Sequence, residues 1–267
     1  MTQLQDAGLL ESRVGEVLVL AINNPARRNA ITAGLFRSLT SSLQQAGADS
    51  SIGAVVLTGT GNYFCAGGDL KQLMQRREQS EEQRRERLDE LNHVVRTLRD
   101  FHKPIVAAIE GGAAGAGWSL ALACDLVVAA NDASFSAAYV KVGLTPDGGI
   151  TGLLAQILPR QLYTQLCLTG EPIQAQRLAA LGAINVLSAP GSALQDSVEL
   201  ATKLAAGPAR AMQRIKFLCR TADSALLDEQ LEKEAGFMVE AQGSSESAEG
   251  IAAFFERRSP NFSSLRV

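Results

Sequence analysis

Three stretches of this chain hold residues whose types and spacing could do chemistry: two glycine-rich turns and one loop with an aspartate. The first turn, AGGD at residues 66–69, follows an apolar run at residues 54–57. The second, GGAAGAG at residues 111–117, follows an apolar run at residues 105–109 and leads into an alanine- and leucine-rich segment. A strand, a glycine-rich turn and a helix N-terminus together present free backbone N–H groups to an anion or to a developing negative charge. The alternative is that the glycines only allow close packing in an α/β core.

Asp147, in the sequence LTPDGGIT, is the third candidate. The apolar residues Leu144, Ile150 and Leu153 surround it in the sequence, and burial among them would raise the pKa of its carboxyl group toward that of a useful base. The alternative is that Asp147 is the N-cap of a helix over residues 148–158, a position that aspartate favours. The pattern favours the catalytic role and leaves the capping role open.

The composition is that of a globular protein with one domain, or one domain and an appendage. The chain has 267 residues, of which 46% are apolar and 20% charged, and its net charge is −3, so nucleic acid is not an expected partner. Residues 1–12 lack the basic and apolar regions of a signal peptide, and no apolar run approaches the ~20 residues that span a bilayer. The four cysteines form no C-x-x-C pair and there are only two histidines, which predicts a cytoplasmic protein with no membrane partner and no metal site.

The elements that must position these residues alternate between strands and helices. Apolar runs bounded by turn residues predict strands over residues 14–22, 52–58, 105–109 and 125–130. Helices are predicted, the first with Thr32 as its N-cap, over residues 33–46, 71–99, 117–124, 148–158 and 171–181. Short strands joined by helices, repeated several times, indicate a parallel α/β core. From about Leu194 onward the strand signals end and three helices are predicted.

Several motifs occur together in the order and spacing of a known family. They are NPARRNAI at residues 24–31, YFCAGGDL at residues 63–70, the second glycine-rich turn, VGLTPDGGIT at residues 142–151 and FFERRSP at residues 254–260. With these motifs in register, the chain resembles the enoyl-CoA hydratase/isomerase (crotonase) family over essentially its whole length. The resemblance implies an α/β fold, a crotonase-like spiral of repeated β-β-α units over residues 1–193 that holds an acyl-CoA site. It also implies a C-terminal α-helical region over residues 194–267 that assembles the protein into a homotrimer or a dimer of trimers.

The same resemblance implies roles for individual residues. In this family the thioester carbonyl of an acyl-CoA lies between two backbone N–H groups that stabilise an enolate, and the matching positions are Gly68 and Ala116. Backbone donors suit this task because they are rigid and point in advance at the place where charge develops. Coenzyme A enters as part of the substrate, so no separate cofactor is expected. Its contacts are expected from Arg27, Arg28, Ala30, Ala66, Gly67, Asp69, Leu70 and, on a neighbouring subunit, Phe254 and Arg257. The acyl pocket is expected to be lined by Leu73, Trp118, Ser119 and Tyr139.

The acidic residues decide which reaction is expected. Hydratases of the family carry two glutamates that hold and activate water, and the matching positions here are Ser119 and Tyr139, neither of which is a good base near neutral pH. Asp147 matches the position where many double-bond isomerases of the family place their one acidic residue. We therefore expect an acyl-CoA isomerase that moves a double bond between the 3 and 2 positions, with Asp147 as acid and base. The alternatives are a hydratase that uses one carboxylate and a catalytically inactive protein that binds CoA esters.

Overall fold

The computed structural model of the protein describes residues 8–266. The prediction that residues 1–12 are not a signal peptide falls mostly outside the described residues. The described strands form a six-stranded and a three-stranded sheet. They are β1 (Leu9–Val14), β2 (Val17–Ile22), β3 (Ala54–Gly59), β4 (Ile105–Ile109), β5 (Gly112–Ala114), β6 (Leu126–Ala130), β7 (Ser134–Ser136), β8 (Ile173–Gln174) and β9 (Val186–Ser188).

Helices join the strands in the first part of the chain and replace them in the last part. They are α1 (Ala33–Ala48), α2 (Leu70–Arg76), α3 (Glu81–Asp100), α4 (Ala116–Leu122), α5 (Ile150–Ile157), α6 (Arg160–Thr169), α7 (Ala175–Ala180), α8 (Ala193–Ala205), α9 (Ala209–Ala222), α10 (Leu227–Gln242) and α11 (Ser245–Glu256). Short 3-10 helices lie at Pro25–Arg27, Ala138–Val142 and Ser263–Leu265.

The order of the strands shows a spiral. The large sheet has the order β1-β2-β3-β4-β6-β9, in which only the β1–β2 pair is antiparallel. The small sheet has the order β5-β7-β8, with β5 parallel to β7. The chain passes from the large sheet to the small sheet and then into a helix, first through β4, β5 and α4 and then through β6, β7 and α5. The predicted α/β spiral of β-β-α units is confirmed.

The central strands β2, β3, β4 and β6 of the large sheet are buried on both faces, which is why they are apolar almost throughout instead of alternating, whereas the edge strands β1 and β9 are largely exposed. One face belongs to an apolar cluster that includes Leu39 of α1 and Leu98 of α3. The other face forms a second cluster with Ala201 and Ala205 of α8. Close packing on both sides makes the edge of this sheet a rigid support for the loops that follow its strands.

Three predicted elements differ from the observed ones. Residues 14–22 do not form one strand, because Gly15 turns with a φ of 57° and separates β1 from β2. The predicted helix over residues 71–99 is divided into α2 and α3, and Ser80 begins α3 with a capping box in which its side chain accepts from the backbone N–H of Gln83. The predicted helix over residues 171–181 is the short strand β8 followed by α7.

Residues 193–266 form four α-helices instead of the three predicted. The first of them, α8, lies on the large sheet, whereas α9 and α10 bury none of their described residues fully. Lys216 connects α9 to the sheet by a 2.7 Å ion pair with Asp125. Large apolar side chains remain exposed on α10 and α11, namely Leu227, Leu231, Met238, Val239, Ile251, Phe254 and Phe255. None of the helices within residues 8–266 combines the length and apolar character needed to cross a membrane.

Candidate active site

The candidate site is built on three loops that follow β2, β3 and β4. Because these strands are parallel, their carboxyl ends meet at one edge of the sheet. Backbone hydrogen bonds join the loops to one another. They run from Ala66 N to Arg28 O at 2.9 Å, from Ile31 N to Gly67 O at 2.8 Å and from Ala114 N to Cys65 O at 2.9 Å. The loops therefore form one connected layer instead of three independent segments.

The two expected oxyanion donors lie in neighbouring turns of this layer. Among residues 8–266, the backbone N–H groups of Gly68 and Ala116 have no acceptor. Ala116 is the first residue of α4, and the first N–H groups of a helix have no partner inside it. A Cβ atom at Gly67, next to Gly68, would lie 3.1 Å from Ala116 N and 2.5 Å from Ala114 O. Only glycine therefore fits at position 67, where the first turn meets the second.

Gly117 is another position in this layer where only glycine fits. A Cβ atom there would lie 2.3 Å from Cys65 O, so any side chain would push the start of α4 away from the first turn. Gly115, which precedes α4, has a φ of 52°, a value that other residues rarely adopt. The close packing that the sequence offered as an alternative is present, and this packing is what brings the two free N–H groups near each other.

Asp69 holds the loop that carries Gly68. Its side chain is the N-cap of α2, where it accepts from Lys71 N at 2.8 Å, and it forms an ion pair with Arg27 at 2.5 Å. Burial acts to raise the pKa of Asp69, but the hydrogen bonds from Lys71 and Arg27 outweigh it, so the pKa is lowered. A carboxylate that is bound in this way supports the loop and is a poor base.

Asn29 is a residue that the sequence pattern does not single out, although it connects two of the loops. It is 0% exposed and has a φ of 55°. Its Nδ2 donates to Thr60 O at 2.8 Å and to Tyr63 O at 2.6 Å, and its Oδ1 accepts from Asn24 N at 2.8 Å. Its residue type is the one sequence feature that could have indicated this role, because asparagine tolerates a positive φ and bonds to backbone groups in turns.

Asp147 lies in the loop before α5 and is not the N-cap of that helix. The helix begins at Ile150 instead of residue 148, its N-cap is Gly149 with a φ of 74°, and no side chain caps it. Gly148 also has a positive φ of 58°, and a Cβ atom there would lie 3.0 Å from the side chain of Ser119. The two glycines turn the chain between Asp147 and the helix, so the capping alternative is wrong.

The Asp147 carboxyl group contacts a tyrosine. Tyr139 Oη donates to Asp147 Oδ1 at 2.8 Å, and Ser119 Oγ donates to the Asp147 carbonyl oxygen at 3.3 Å. Oδ2 accepts no hydrogen bond from any other residue in the part of the chain that the structure describes. The family resemblance placed Ser119 and Tyr139 in the wall of the acyl pocket, at the positions of the two hydratase glutamates. Only folding shows that both contact Asp147.

The environment of Asp147 raises its pKa. Burial is the largest effect, and the hydrogen bond from Tyr139 and the positive charge of Arg76 offset only part of it. Ile150 and Leu153 are buried as expected, but Leu144 is 45% exposed and adds little to the apolar surroundings. A carboxyl group with a raised pKa can both remove a proton and return it near neutral pH.

Arg76, on α2, is a second residue that the sequence does not single out. Its guanidinium group is half-buried and interacts electrostatically with both Asp147 and Asp69. Within residues 8–266 its one side-chain hydrogen bond is a 3.4 Å contact with Gln72. No local signal distinguishes Arg76 from the other arginines of this charged segment, because only folding brings α2 beside the loop before α5.

The residues expected in the acyl pocket occupy different environments. Leu73 is adjacent to the first donor, since a Cβ atom at Gly68 would lie 3.3 Å from its Cδ1. Trp118 is 1% exposed and packs on Phe135, with the two ring centroids 5.6 Å apart. Two residues along a helix rotate the side chain by about 200°, so Trp118 points away from Ala116 and into the core. The role of Trp118 in the acyl pocket stays a prediction.

The residues expected to bind CoA fall into two groups. One group lies on the first two loops and comprises Arg27, Arg28, Ala30, Ala66, Gly67, Asp69 and Leu70. Of these, Arg28 is exposed, with its guanidinium 5.6 Å from the centroid of the Tyr63 ring. The other group is Phe254, which is 80% exposed, and Arg257, which ends α11 in the left-handed conformation. Among the described residues, the hydrogen bonds and ring contacts of Phe254 and Arg257 stay within the end of α11, and none of them joins these two residues to the loops.

The arrangement defines a class of chemistry. Two free backbone N–H groups can stabilise a developing oxyanion, and a half-buried carboxyl group nearby can move a proton. Within residues 8–266 no group of three or more histidine, cysteine, aspartate or glutamate side chains is placed to hold a metal ion. The fold and the site are thus those of a crotonase-like protein, in which an α/β spiral presents backbone donors to a carbonyl group.

Comparison with known proteins identifies the family. The family model described as enoyl-CoA hydratase/isomerase matches residues 12–265, and the chain belongs to this family. The 2,3-dehydroadipyl-CoA hydratase of Escherichia coli K12 is 33% identical over 95% of this chain and 98% of its own. The 1,2-epoxyphenylacetyl-CoA isomerase of the same organism is 34% identical over 92% of this chain and 94% of its own. The crystal structure of an enoyl-CoA hydratase from Polaromonas sp. JS666 superposes with a TM-score of 0.93 at 40% identity and covers 95% of this chain and 99% of its own.

Proposed function

We propose that this protein is an acyl-CoA isomerase that moves a carbon–carbon double bond from the 3 to the 2 position of an enoyl-CoA or of a ring-containing analogue. The proposal depends on the difference in hydrogen bonding between the two carboxylates at the site. Asp69 is bound to Arg27 and to the N-terminus of α2, whereas Asp147 has one oxygen that no other described residue occupies. The positions that hold glutamates in hydratases of the family are Ser119 and Tyr139.

The proposed reaction uses the backbone donors and one base. The thioester oxygen accepts hydrogen bonds from Gly68 N–H and Ala116 N–H. Asp147 removes a proton from C2, and the electron pair of that bond moves toward the thioester oxygen to give an enolate conjugated with the C3–C4 double bond. The same carboxyl group returns the proton to C4, and the electrons form a double bond between C2 and C3. Atoms and charge balance without another reagent, so CoA takes part only as a portion of the substrate.

Binding of the CoA moiety is assigned to the first two loops and to a neighbouring subunit. Arg27 and Arg28 lie on the loop after β2, and cationic side chains there suit phosphate groups. Phe254 and Arg257 would reach the nucleotide of the adjacent protomer in a homotrimer or a dimer of trimers. The exposed apolar side chains of α10 and α11 support such an assembly, because contiguous apolar surface favours burial between subunits.

A hydratase that uses Asp147 alone is the second candidate, and the 33% identity to a protein named as a hydratase favours it. A water molecule on the face of the substrate would then have Asp147 as its one activating carboxylate, because Ser119 and Tyr139 cannot act as bases near neutral pH. A catalytically inactive protein that binds CoA esters is the candidate from a different class.

Two assays on one enzyme preparation separate these candidates. Isomerisation of a 3-enoyl-CoA is compared with hydration of crotonyl-CoA, and isomerisation is expected to be faster by about 10²-fold or more, because a positioned general base contributes about 10²–10⁴. Comparable rates for the two reactions would contradict the isomerase proposal. Tight acyl-CoA binding without exchange of the C2 proton in D₂O would support the inactive binding protein.

A further inference from the structure

We propose that Tyr139 is a positioning residue for Asp147, whose hydroxyl group holds one carboxyl oxygen and leaves the other as the single site of proton transfer. The proposal rests on the proposed function and extends it to a residue to which the family resemblance gave no part in the isomerase reaction beyond the pocket wall. The observation behind it is the 2.8 Å hydrogen bond from Tyr139 Oη to Asp147 Oδ1.

The contacts on Asp147 fix both its side chain and its main chain. Tyr139 lies on the 3-10 helix Ala138–Val142, and Gly143, with a φ of 70°, turns the chain back toward Asp147. Tyr139 binds Oδ1, which restrains rotation of the carboxyl plane, while Ser119 on α4 binds the carbonyl oxygen of Asp147. Oδ2 receives no hydrogen bond from another residue among those described. A base that must reach both C2 and C4 benefits from this restraint, because a misplacement of ~1 Å can cost about 10²-fold in rate.

The tyrosine can act in this contact only as a donor. Burial raises the pKa of Tyr139 far above its usual value, and the adjacent negative charge of Asp147 raises it further. Its phenol group therefore keeps its proton throughout the working pH range. Donation to a carboxylate favours the ionised form, so Tyr139 lowers the pKa of Asp147 against the effect of burial. The other charged group that acts on Asp147 is Arg76 of α2, which works in the same direction.

The test compares Tyr139→Phe, which removes only the hydroxyl group, with Tyr163→Phe. Tyr163 is a partly buried tyrosine of α6 whose hydroxyl makes no hydrogen bond within the described residues. In Tyr139→Phe the pH profile of kcat/KM should keep its shape while its acid limb moves up by about one to two pH units, since a hydrogen bond to a charged group is lost. The plateau of kcat should fall by about tenfold to a hundredfold with KM nearly unchanged. Tyr163→Phe should match the wild type in all three measurements.

A direct titration makes the result independent of turnover. The pKa of Asp147 is read from the ¹³C resonance of its carboxyl group in protein with labelled aspartate, and the resonance is assigned by its loss in Asp147→Asn. An upward shift in Tyr139→Phe supports the positioning role even if the protein turns out to catalyse another reaction of the family. An unchanged pKa together with a fall in kcat would mean that Tyr139 only supports the fold, and would overturn the proposal. If Tyr139→Phe fails to fold, replacement of tyrosine by 3-fluorotyrosine keeps the shape and strengthens the donor, and the acid limb must then move to lower pH.

Discussion

Replacement of Asp147 by asparagine is the change that tests the mechanism most directly. Asparagine keeps the size of the side chain and an oxygen that can accept from Tyr139, but it cannot take up a proton. The N-cap of α5 is Gly149, so the substitution removes no capping interaction. The two backbone donors at Gly68 and Ala116 are untouched, because they are main-chain groups. Asp147→Asn therefore removes basicity and little else.

The expected loss of activity follows from that selectivity. A positioned general base contributes about 10²–10⁴ to the rate, so isomerase kcat should fall by about a thousandfold. Since the lost interaction acts in the transition state, kcat and kcat/KM should fall together while KM stays near its original value. The affinity for an unreactive acyl-CoA should also be unchanged.

The effect on stability has a definite sign. The pKa of Asp147 is raised above 3.8 in the folded protein, so between these two values the folded state binds more protons than the unfolded state. The free energy of unfolding therefore falls as the pH rises through this window, and the ionised carboxylate remains a cost at higher pH. Asp147→Asn removes that cost. Its Tm at about pH 7 should equal or exceed that of the wild type, and the difference should vanish below about pH 4.

The assay measures 3-enoyl-CoA isomerisation and thermal unfolding on the same samples, with Asp132→Asn as the matched control. Asp132 is exposed in the turn after β6, so its replacement should leave both quantities near the wild-type values. If Asp147→Asn keeps most of the isomerase activity, Asp147 is not the base. If Asp147→Asn loses activity and also unfolds at a clearly lower temperature at about pH 7, the loss of activity has a structural cause. That result would contradict the assignment of Asp147 as the base.

Two further predictions concern CoA binding and the loop scaffold. Arg257→Ala should raise KM for CoA esters by about tenfold or more with kcat nearly unchanged, because a charge-assisted contact to phosphate is lost equally from the ground and transition states. A defect confined to kcat would exclude Arg257 from the CoA site. Asn29→Ala should lower the free energy of unfolding by about 3 kcal/mol in denaturant titrations, because it leaves the three part-buried backbone groups that bond to Asn29 without this partner. The exposed Asn131→Ala should change it by less than about 0.5 kcal/mol, and equal effects of the two variants would show that the Asn29 hydrogen bonds contribute nothing.

Several features of this protein were determined by the sequence itself. The apolar runs that form β3, β4 and β6 are buried on both faces of a sheet. Strands buried in this way are apolar almost without interruption, and this is visible in the sequence. Gly67 and Gly117 are fixed by backbone atoms only a few ångströms away, so the chain could carry no other residue there, and the glycine pattern reports this. The spacing of the motifs indicated the family, because proteins that share this backbone geometry require small residues at the same positions.

The tertiary structure alone decided which side chains meet at the site. Trp118 is in the right segment, but the rotation of α4 sends it into the core, and a helix of seven residues is too short for its sequence pattern to show which face is buried. Asn29 and Arg76 act through contacts with residues that are distant along the chain, and periodicity carries no information about such distances. The partnership of Tyr139 with Asp147 depends on how Gly143 turns the chain between them. Local sequence sets the conformation of each turn, whereas the distance between two turns is set by the packing of the whole sheet beneath them.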